Sequence, residues 1–190
     1  MPYSSPVFDR AITEVIKHID TKSFFDIGAG AGKYGELVRA ISSEIKTVAV
    51  EIEKDYINTF NLPTKYNEVL NISVLDLIQP NYYDTNFDVV MIGDTIEHLK
   101  KSDGIDLLNF LVYRCRWIII QFPVRYLQNT VDSYTSEAHI SVWDKTDFQS
   151  FERTKIFANE KQRLVAIRGY MENAFTIKQI ETIIETNESK

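Results

Sequence analysis

Hydrophobic positions along this chain alternate between two patterns: stretches with a helical period and short unbroken apolar runs. Phe8, Ala11, Ile12, Val15, Ile16 and Ile19 recur at helical spacing and predict an amphipathic helix over residues 6–19. Ser23–Ile27 is a short apolar run that ends in glycines and predicts a first strand. Tyr34, Leu37, Val38 and Ile41 share one helical face. Residues 47–52 predict a second strand, β-branched at Thr47, Val48, Val50 and Ile52, and residues 54–61 a short helix stopped near Pro63. A third strand falls within 66–75. The runs FDVVMI (87–92) and WIIIQF (117–122) read as strands buried on both faces. Between them, Ser102 or Asp103 can cap a helix over 104–114. Helices alternating with strands predict a parallel α/β sheet.

Beyond Pro123 the period is lost. Residues 124–146 are polar and aromatic and read as a long loop or lid. Residues 155–158 and 164–168 predict an antiparallel hairpin turning near Glu160 and Lys161. The tail from Met171 fits two states: Ile177, Ile180 and Ile184 suit a helix, while TIKQIETII also suits a strand. Residues 187–190 are expected to fray. With no repeat and 190 residues, a single domain over 1–190 is expected, its first helix within 1–20.

Composition narrows the functions. Apolar residues make up 44% of the chain, enough for a real core. A formal charge of −6, from 21 basic and 27 acidic residues, makes a poor general binder of nucleic acid, whose phosphates call for clustered Lys and Arg. The basic residues Arg153, Lys155, Lys161, Arg163 and Arg168 are scattered. The lone cysteine, Cys115, allows no intrachain disulfide and reads as packing. Residues 1–10 carry no signal pattern and no apolar stretch is long enough to span a membrane, so a cytoplasmic protein is expected.

The sharpest chemical signal is FFDIGAGAGKYG (24–35), with glycines at 28, 30 and 32 between a strand and a helix. Glycine permits positive φ and close approach of a ligand to the backbone, and the amides of the following helix point at that ligand. The alternative is a tight turn with no ligand. The spacing is wrong for a phosphate-binding P-loop, which needs four residues between its glycines and Ser or Thr after the Lys. A dinucleotide fingerprint can be read at Gly30, Gly32 and Gly35, with Glu51 about 20 residues on. Asp26 argues for S-adenosylmethionine instead: an acid two residues before the first glycine suits an ammonium group and would repel a pyrophosphate. Glu51, ending VAVE, can accept hydrogen bonds from both ribose hydroxyls; Glu53 competes for that role, and an ordinary surface Glu is the plain alternative.

DIGAGAG, VAVE and FDVVMIGDTIEHL, taken in order, resemble the class I S-adenosylmethionine-dependent methyltransferases, over roughly residues 6–170. The resemblance implies a Rossmann-like three-layer sandwich with a seven-stranded, mostly parallel sheet and an antiparallel last strand, the 155–168 hairpin supplying strands six and seven. It implies that Asp26, Gly28, Gly30 and Gly32 hold the methionine end, with Ala29 and Tyr34 beside them. It places Glu51 and Ile52 at the ribose, Ser73 and Val74 at the adenine, and Gly93 and Asp94 after the fourth strand. Many members carry Asp where Ser73 stands; here Asp76 follows three residues later, and Ser73 is the weaker acceptor.

Asp94, Glu97 and His98 would share one side of a helical turn, and His139 follows within the lid. In one reading Asp94 caps the turn and His98 pairs with a carboxylate. In a second, His98 or His139 is a general base. In a third, Asp94, Glu97, His98 and His139 bind a divalent metal. That set resembles the metal-binding arrangement of small-RNA 3′-end 2′-O-methyltransferases, which have Glu where Asp94 stands. EHL also occurs widely in metal-free methyltransferases, and no metal is expected here.

The lid's mix of aromatic rings (Tyr126, Tyr134, Trp143) and polar tips (Arg125, Gln128, Asn129, Glu137) suits a polar ring-shaped acceptor such as a sugar, or equally the packing of the lid onto the sheet. Its layout resembles methyltransferases of glycan or natural-product biosynthesis. The expected function is S-adenosylmethionine-dependent O- or N-methylation of a small-molecule or glycan acceptor, with no nucleic acid or membrane partner. The rivals are a metal-assisted RNA 2′-O-methyltransferase, an NAD(P)-dependent oxidoreductase using the same loop, and a cofactor-binding regulatory subunit.

Overall fold

A computed structural model describes residues 3–188. Seven strands form one sheet: β1 (Ser23–Ile27), β2 (Lys46–Val50), β3 (Glu68–Leu70), β4 (Phe87–Gly93), β5 (Cys115–Pro123), β6 (Phe157–Ala158) and β7 (Gln162–Arg168). Their spatial order is β3-β2-β1-β4-β5-β7-β6. The first five are parallel neighbours, β7 runs antiparallel to β5, and β6 runs antiparallel to β7. The mostly parallel sheet with an antiparallel close agrees with the expectation from sequence.

The period-2 alternation of the strands splits the core into two layers. Phe25, Ile27, Val48, Val50, Val90 and Ile92 face one side, where they meet α4 (Lys101–Leu111) through Leu107, Leu108 and Leu111. Phe24, Val89, Met91, Trp117 and Ile119 face the other, covered by α1 (Asp9–His18), α2 (Lys33–Ile41) and α5 (Ile177–Asn187), while the short α3 (Lys54–Thr59) follows β2. The tail is therefore a helix. A capping box starts it: Gln179 N–H donates to the Thr176 hydroxyl, and Thr176 N–H donates to the Gln179 side chain. Ile180 and Ile184 then bury against the α1 layer. Of the residues expected to fray, Asn187 ends α5, while 189 and 190 lie outside the described residues. Among the described residues no helix is long and apolar enough to cross a membrane.

Three local expectations are corrected. β2 ends at Val50, although the Glu51 amide still bonds Leu70 O across the sheet. Helix α4 begins at Lys101 with Lys100 at its cap position and no side-chain cap, so neither Ser102 nor Asp103 caps it; both lie in its first turn. The segment after β4 is not one helical turn. Asp94 sits in the left-handed region (φ 49°), and only Ile96–His98 form a single 3-10 turn. This separates Asp94 from Glu97 and His98.

Beyond β5, residues 124–146 hold one 3-10 turn, Thr135–Glu137, and no named strand. Trp143 is fully buried, its Nε1 donating to Ile96 O (3.1 Å), and its ring stacks on Phe148. It packs the segment down, whereas Tyr126 is exposed.

Candidate active site

The chain leaves β1 in one direction and β4 in the other, which opens a crevice at their carboxyl ends. A cleft of about 190 Å³ lies there. Gly28 and Gly30 form one wall, both at positive φ (75° and 52°). The Gly28 and Ala29 amides donate to Val50 O (2.9 and 3.0 Å), so the loop is anchored to the end of β2. A Cβ on Gly28 would lie 2.3 Å from Thr95 Oγ1, so this glycine is required by the protein's own packing.

Glu51 closes the next side. Its carboxylate is almost wholly buried and accepts from Gly30 N–H (2.7 Å) and Glu53 N–H (2.8 Å). Burial raises its pKa, and the two amides partly oppose that shift. Ile52, Ser73 and Val74 line the cleft beside it. Ser73 also caps the short turn Val74–Ile78 in a box with Asp76, so its hydroxyl accepts from Leu75 N–H. Gly93, Asp94 and His98 complete the predicted lining.

Four predicted residues stand behind this wall. Asp26 is fully buried; the Tyr66 hydroxyl donates to its Oδ2, and its Oδ1 has no partner among the described residues. Burial pushes its carboxyl up to about 7, against the Tyr66 bond that favours the charged form. Ala29 packs with Ala49, Leu62 and Tyr66. Gly32 caps α2 at φ 79°, where a Cβ would meet Leu62 and Lys65. Tyr34 lays its ring on Gly93, 2.2 Å from where a Cβ would be.

The structure also brings in residues that the sequence reading missed. Tyr3 and Ser4 line the cleft, as do Tyr56, Thr95 and Leu99. Ser136 reaches it from the lid, its Oγ donating to Glu53 (2.5 Å), beside Glu137, one of the polar residues already singled out in that segment as suited to an acceptor. Tyr56 follows VAVE by five residues, a position the helix signal alone could have marked. Tyr66 had no local signal, because its contact with Asp26 spans 40 residues.

The charge of the lining is one-sided. Glu51, Glu53, Asp94 and Glu137 face the cleft, and among the described residues no Lys or Arg lines it. Deeper on the lid side, Glu97, His98 and His139 gather, with one ligand-type atom from each within 4.8 Å of the others. Asp94 is not in this group. Glu97 is buried, with no hydrogen bond to either carboxylate oxygen among the described residues; His139 Nε2 lies 3.8 Å from its Oε1. Burial raises the Glu97 pKa well above its ordinary value. His98 Nδ1 donates to Ala138 O (3.1 Å), and His139 Nδ1 to Tyr126 O (2.7 Å). The two rings meet edge to face at 4.7 Å. Burial lowers the pKa of His98, which lines the main cleft; His139 instead borders a small neighbouring cavity with Glu97, Arg125 and Tyr126.

No family model and no curated protein matches the chain. Solved structures do match. The plantazolicin methyltransferase BamL, solved with a triazolic desmethylPZN analog and SAH, superimposes with a TM-score of 0.64 at 12% identity, over 87% of this chain and 85% of its own. The methyltransferase domain of bacterial CtHen1 gives 0.63 at 13%, over 86% and 98%. An O-methyltransferase family protein from Burkholderia thailandensis gives 0.60 at 12%, over 83% of this chain, which spans 55% of that longer protein. Sheet order, glycine loop and these superpositions agree that the chain has the fold of the class I S-adenosylmethionine-dependent methyltransferases.

Proposed function

We propose that the chain is an S-adenosylmethionine-dependent methyltransferase acting on a small polar acceptor. The carrying observation is the acidic cleft at the carboxyl ends of β1, β2 and β4, with four carboxylates and, among the described residues, no Lys or Arg on its walls. Such a wall attracts a sulfonium and an ammonium and repels a pyrophosphate, which disfavours a nicotinamide dinucleotide. It equally disfavours an RNA backbone. The residues fit the cofactor. Gly28 and Gly30 offer a backbone cradle at positive φ, and Glu51 stands where ribose hydroxyls would reach its carboxylate. The Asp26 carboxyl, one layer down, is pushed up to about 7 by burial, so it carries only part of a negative charge near neutral pH.

The cofactor, when bound, supplies an electrophilic methyl group. The chain's own residues position the acceptor in line and exclude water. His98, neutral near pH 7 because burial lowers its pKa, is the group on the cleft wall suited to take a proton from an acceptor hydroxyl or amine. His139 stands behind it. A small acceptor is favoured by the size of the cleft and by the likeness to BamL, which was solved with a triazolic desmethylPZN analog. The test is calorimetric titration with S-adenosylmethionine, S-adenosylhomocysteine and NAD⁺. Micromolar binding of the first two and none of NAD⁺ supports the reading; binding of NAD⁺ alone overturns it.

One observation favours a second role for the lid side. Glu97 buries a carboxylate without hydrogen bonds among the described residues, beside two imidazoles whose Nδ1–H groups are held by backbone carbonyls, leaving each Nε2 turned toward ligation. Two nitrogens and a carboxylate suit a divalent transition metal such as Mn²⁺ or Co²⁺. Titration with Co²⁺, followed by visible absorption, decides between metal and free base. Stoichiometric binding that is lost in His139→Ala supports the metal, and absence of binding leaves His98 as a free base.

A further inference from the structure

The residues from Tyr3 to Ser5 are held against the cleft from three directions. Ser4 Oγ donates to Gly93 O (2.9 Å) at the end of β4. Ser5 N–H donates to Asp94 Oδ2 (3.0 Å). Ser5 O accepts from both Gln121 Nε2 (2.9 Å) on β5 and Lys33 Nζ (2.8 Å) on α2. At the far end, the Tyr3 ring meets Phe60 edge-on at 5.6 Å. Tyr3 and Ser4 line the cleft, so this segment is one of its walls.

Gln121 is the centre of that fastening. It is fully buried and does not line the cleft. Its one amide nitrogen donates to Ser5 O and also to Asp94 Oδ2 (2.9 Å). Asp94 in turn stands at φ 49°, a conformation costly for a residue with a Cβ, and there its own amide donates to Gln121 O (2.8 Å) while its carboxylate collects Ser5 N–H and Gln121 Nε2. The strain at Asp94 thus serves to aim its carboxylate at the wall. A glutamine inside a strand buried on both faces, with its Oε1 left without a partner among the described residues, has no packing role that Leu or Met would not fill better.

We infer that Gln121 is a positioning residue which, through Asp94 and Ser5, fastens residues 3–5 as the releasable wall of the cleft and so sets how long a bound cofactor stays. The inference rests on the cofactor reading above only for its kinetic arm; the fastening itself is independent of any ligand. Both backbone groups of Ser5 are captured, and Gln121 supports both, directly at Ser5 O and through Asp94 at Ser5 N–H. Breaking the Gln121 bonds therefore loosens the wall, which keeps its Lys33 and Gly93 bonds, without disturbing the glycine loop or Glu51.

The test uses the full chain in two measurements. Stopped-flow displacement gives the dissociation rate of S-adenosylhomocysteine, expected about tenfold faster in Gln121→Leu and a few-fold faster in Ser4→Ala, which removes a single hydroxyl and keeps the fold. Amide hydrogen exchange of the ligand-free protein is expected to find Ser5 protected in the wild type and exchanging about tenfold faster in Gln121→Leu, while the Ala29 amide on the glycine loop stays as protected as before. A merely structural Gln121 would lower stability and loosen both amides together. Dissociation rates within twofold of wild type in both variants overturn the inference, and so does an unprotected Ser5 amide in the wild type. If Gln121→Leu does not fold, Ser4→Ala and the wild-type exchange rates decide alone. If S-adenosylhomocysteine does not bind, the cofactor reading falls and the exchange of Ser5 judges the wall by itself.

Discussion

The two flanks of the cleft are fastened by different kinds of bond. On the glycine-loop flank, Gly28, Ala29 and Gly30 are tied by their own amides to Val50 O and to Glu51, within 22 residues of chain. On the lid flank, the links are long-range: Ser136 to Glu53, Tyr134 to Asp55 (2.9 Å), and His98 to Ala138 O, spanning 40 to 83 residues. The first flank is rigid because its conformation is set by backbone geometry and a buried carboxylate. The second depends on side chains that meet only after the sheet is built, several of them exposed. A cofactor common to many enzymes needs the first arrangement; an acceptor particular to one enzyme is served by the second.

The comparison can be broken at Asp26, beneath the rigid flank. Its carboxyl titrates near 7 in the folded chain and near 3.9 when unfolded, so between those values the folded state holds a proton that the unfolded state lacks. Stability should fall as pH rises from 4 to 7, by up to about 4 kcal/mol from this group. Urea unfolding across that range should show the slope in the wild type and a flatter one in Asp26→Asn. Gly28→Ala comes next. It forces a Cβ onto Thr95 at positive φ, and roughly 3 kcal/mol should be lost in the same assay. On the lid flank, His98→Ala should leave stability and cofactor affinity almost unchanged while slowing methyl transfer about 100-fold. A variant that instead lost cofactor affinity would erase the distinction between the flanks. Glu51→Gln keeps the shape but turns one amide-accepting oxygen into a donor, and S-adenosylmethionine should bind about tenfold more weakly by calorimetry. Tyr134→Phe removes one exposed bond to Asp55 and should shift stability by less than about 0.5 kcal/mol.

The same contrast governs what the sequence could tell. β1 was readable to the residue, because its apolar run stops at glycines that the turn requires. Glu51 was readable as a cleft residue because it directly follows a β-branched strand at a fixed distance from that loop. The period also announced both buried strands, β4 and β5. The Asp94–His98 segment was misread, because an i, i+3, i+4 spacing carries no sign that Asp94 would turn left-handed toward Ser5 and Gln121. Asp26 was legible as an acid near the glycines, but not as a buried one, since Tyr66 reaches it from 40 residues away. Tyr3 and Ser4 were invisible as cleft residues for the same reason: their partners lie near residues 60 and 93.

Those distant partners bear on the order in which the molecule is made. Ser5 must find Asp94 and Gln121, 89 and 116 positions further along the chain, before the cleft has all its walls. Contacts of such sequence separation are entropically expensive and form late in folding. The glycine loop and Glu51 can assemble from the first three strands, but a complete cleft exists only once β5 has joined the sheet. A ligand that requires every wall would bind the finished chain and ignore its intermediates, adding its binding free energy to the last step alone. Cofactor concentration would then act on the yield of mature protein as well as on its turnover.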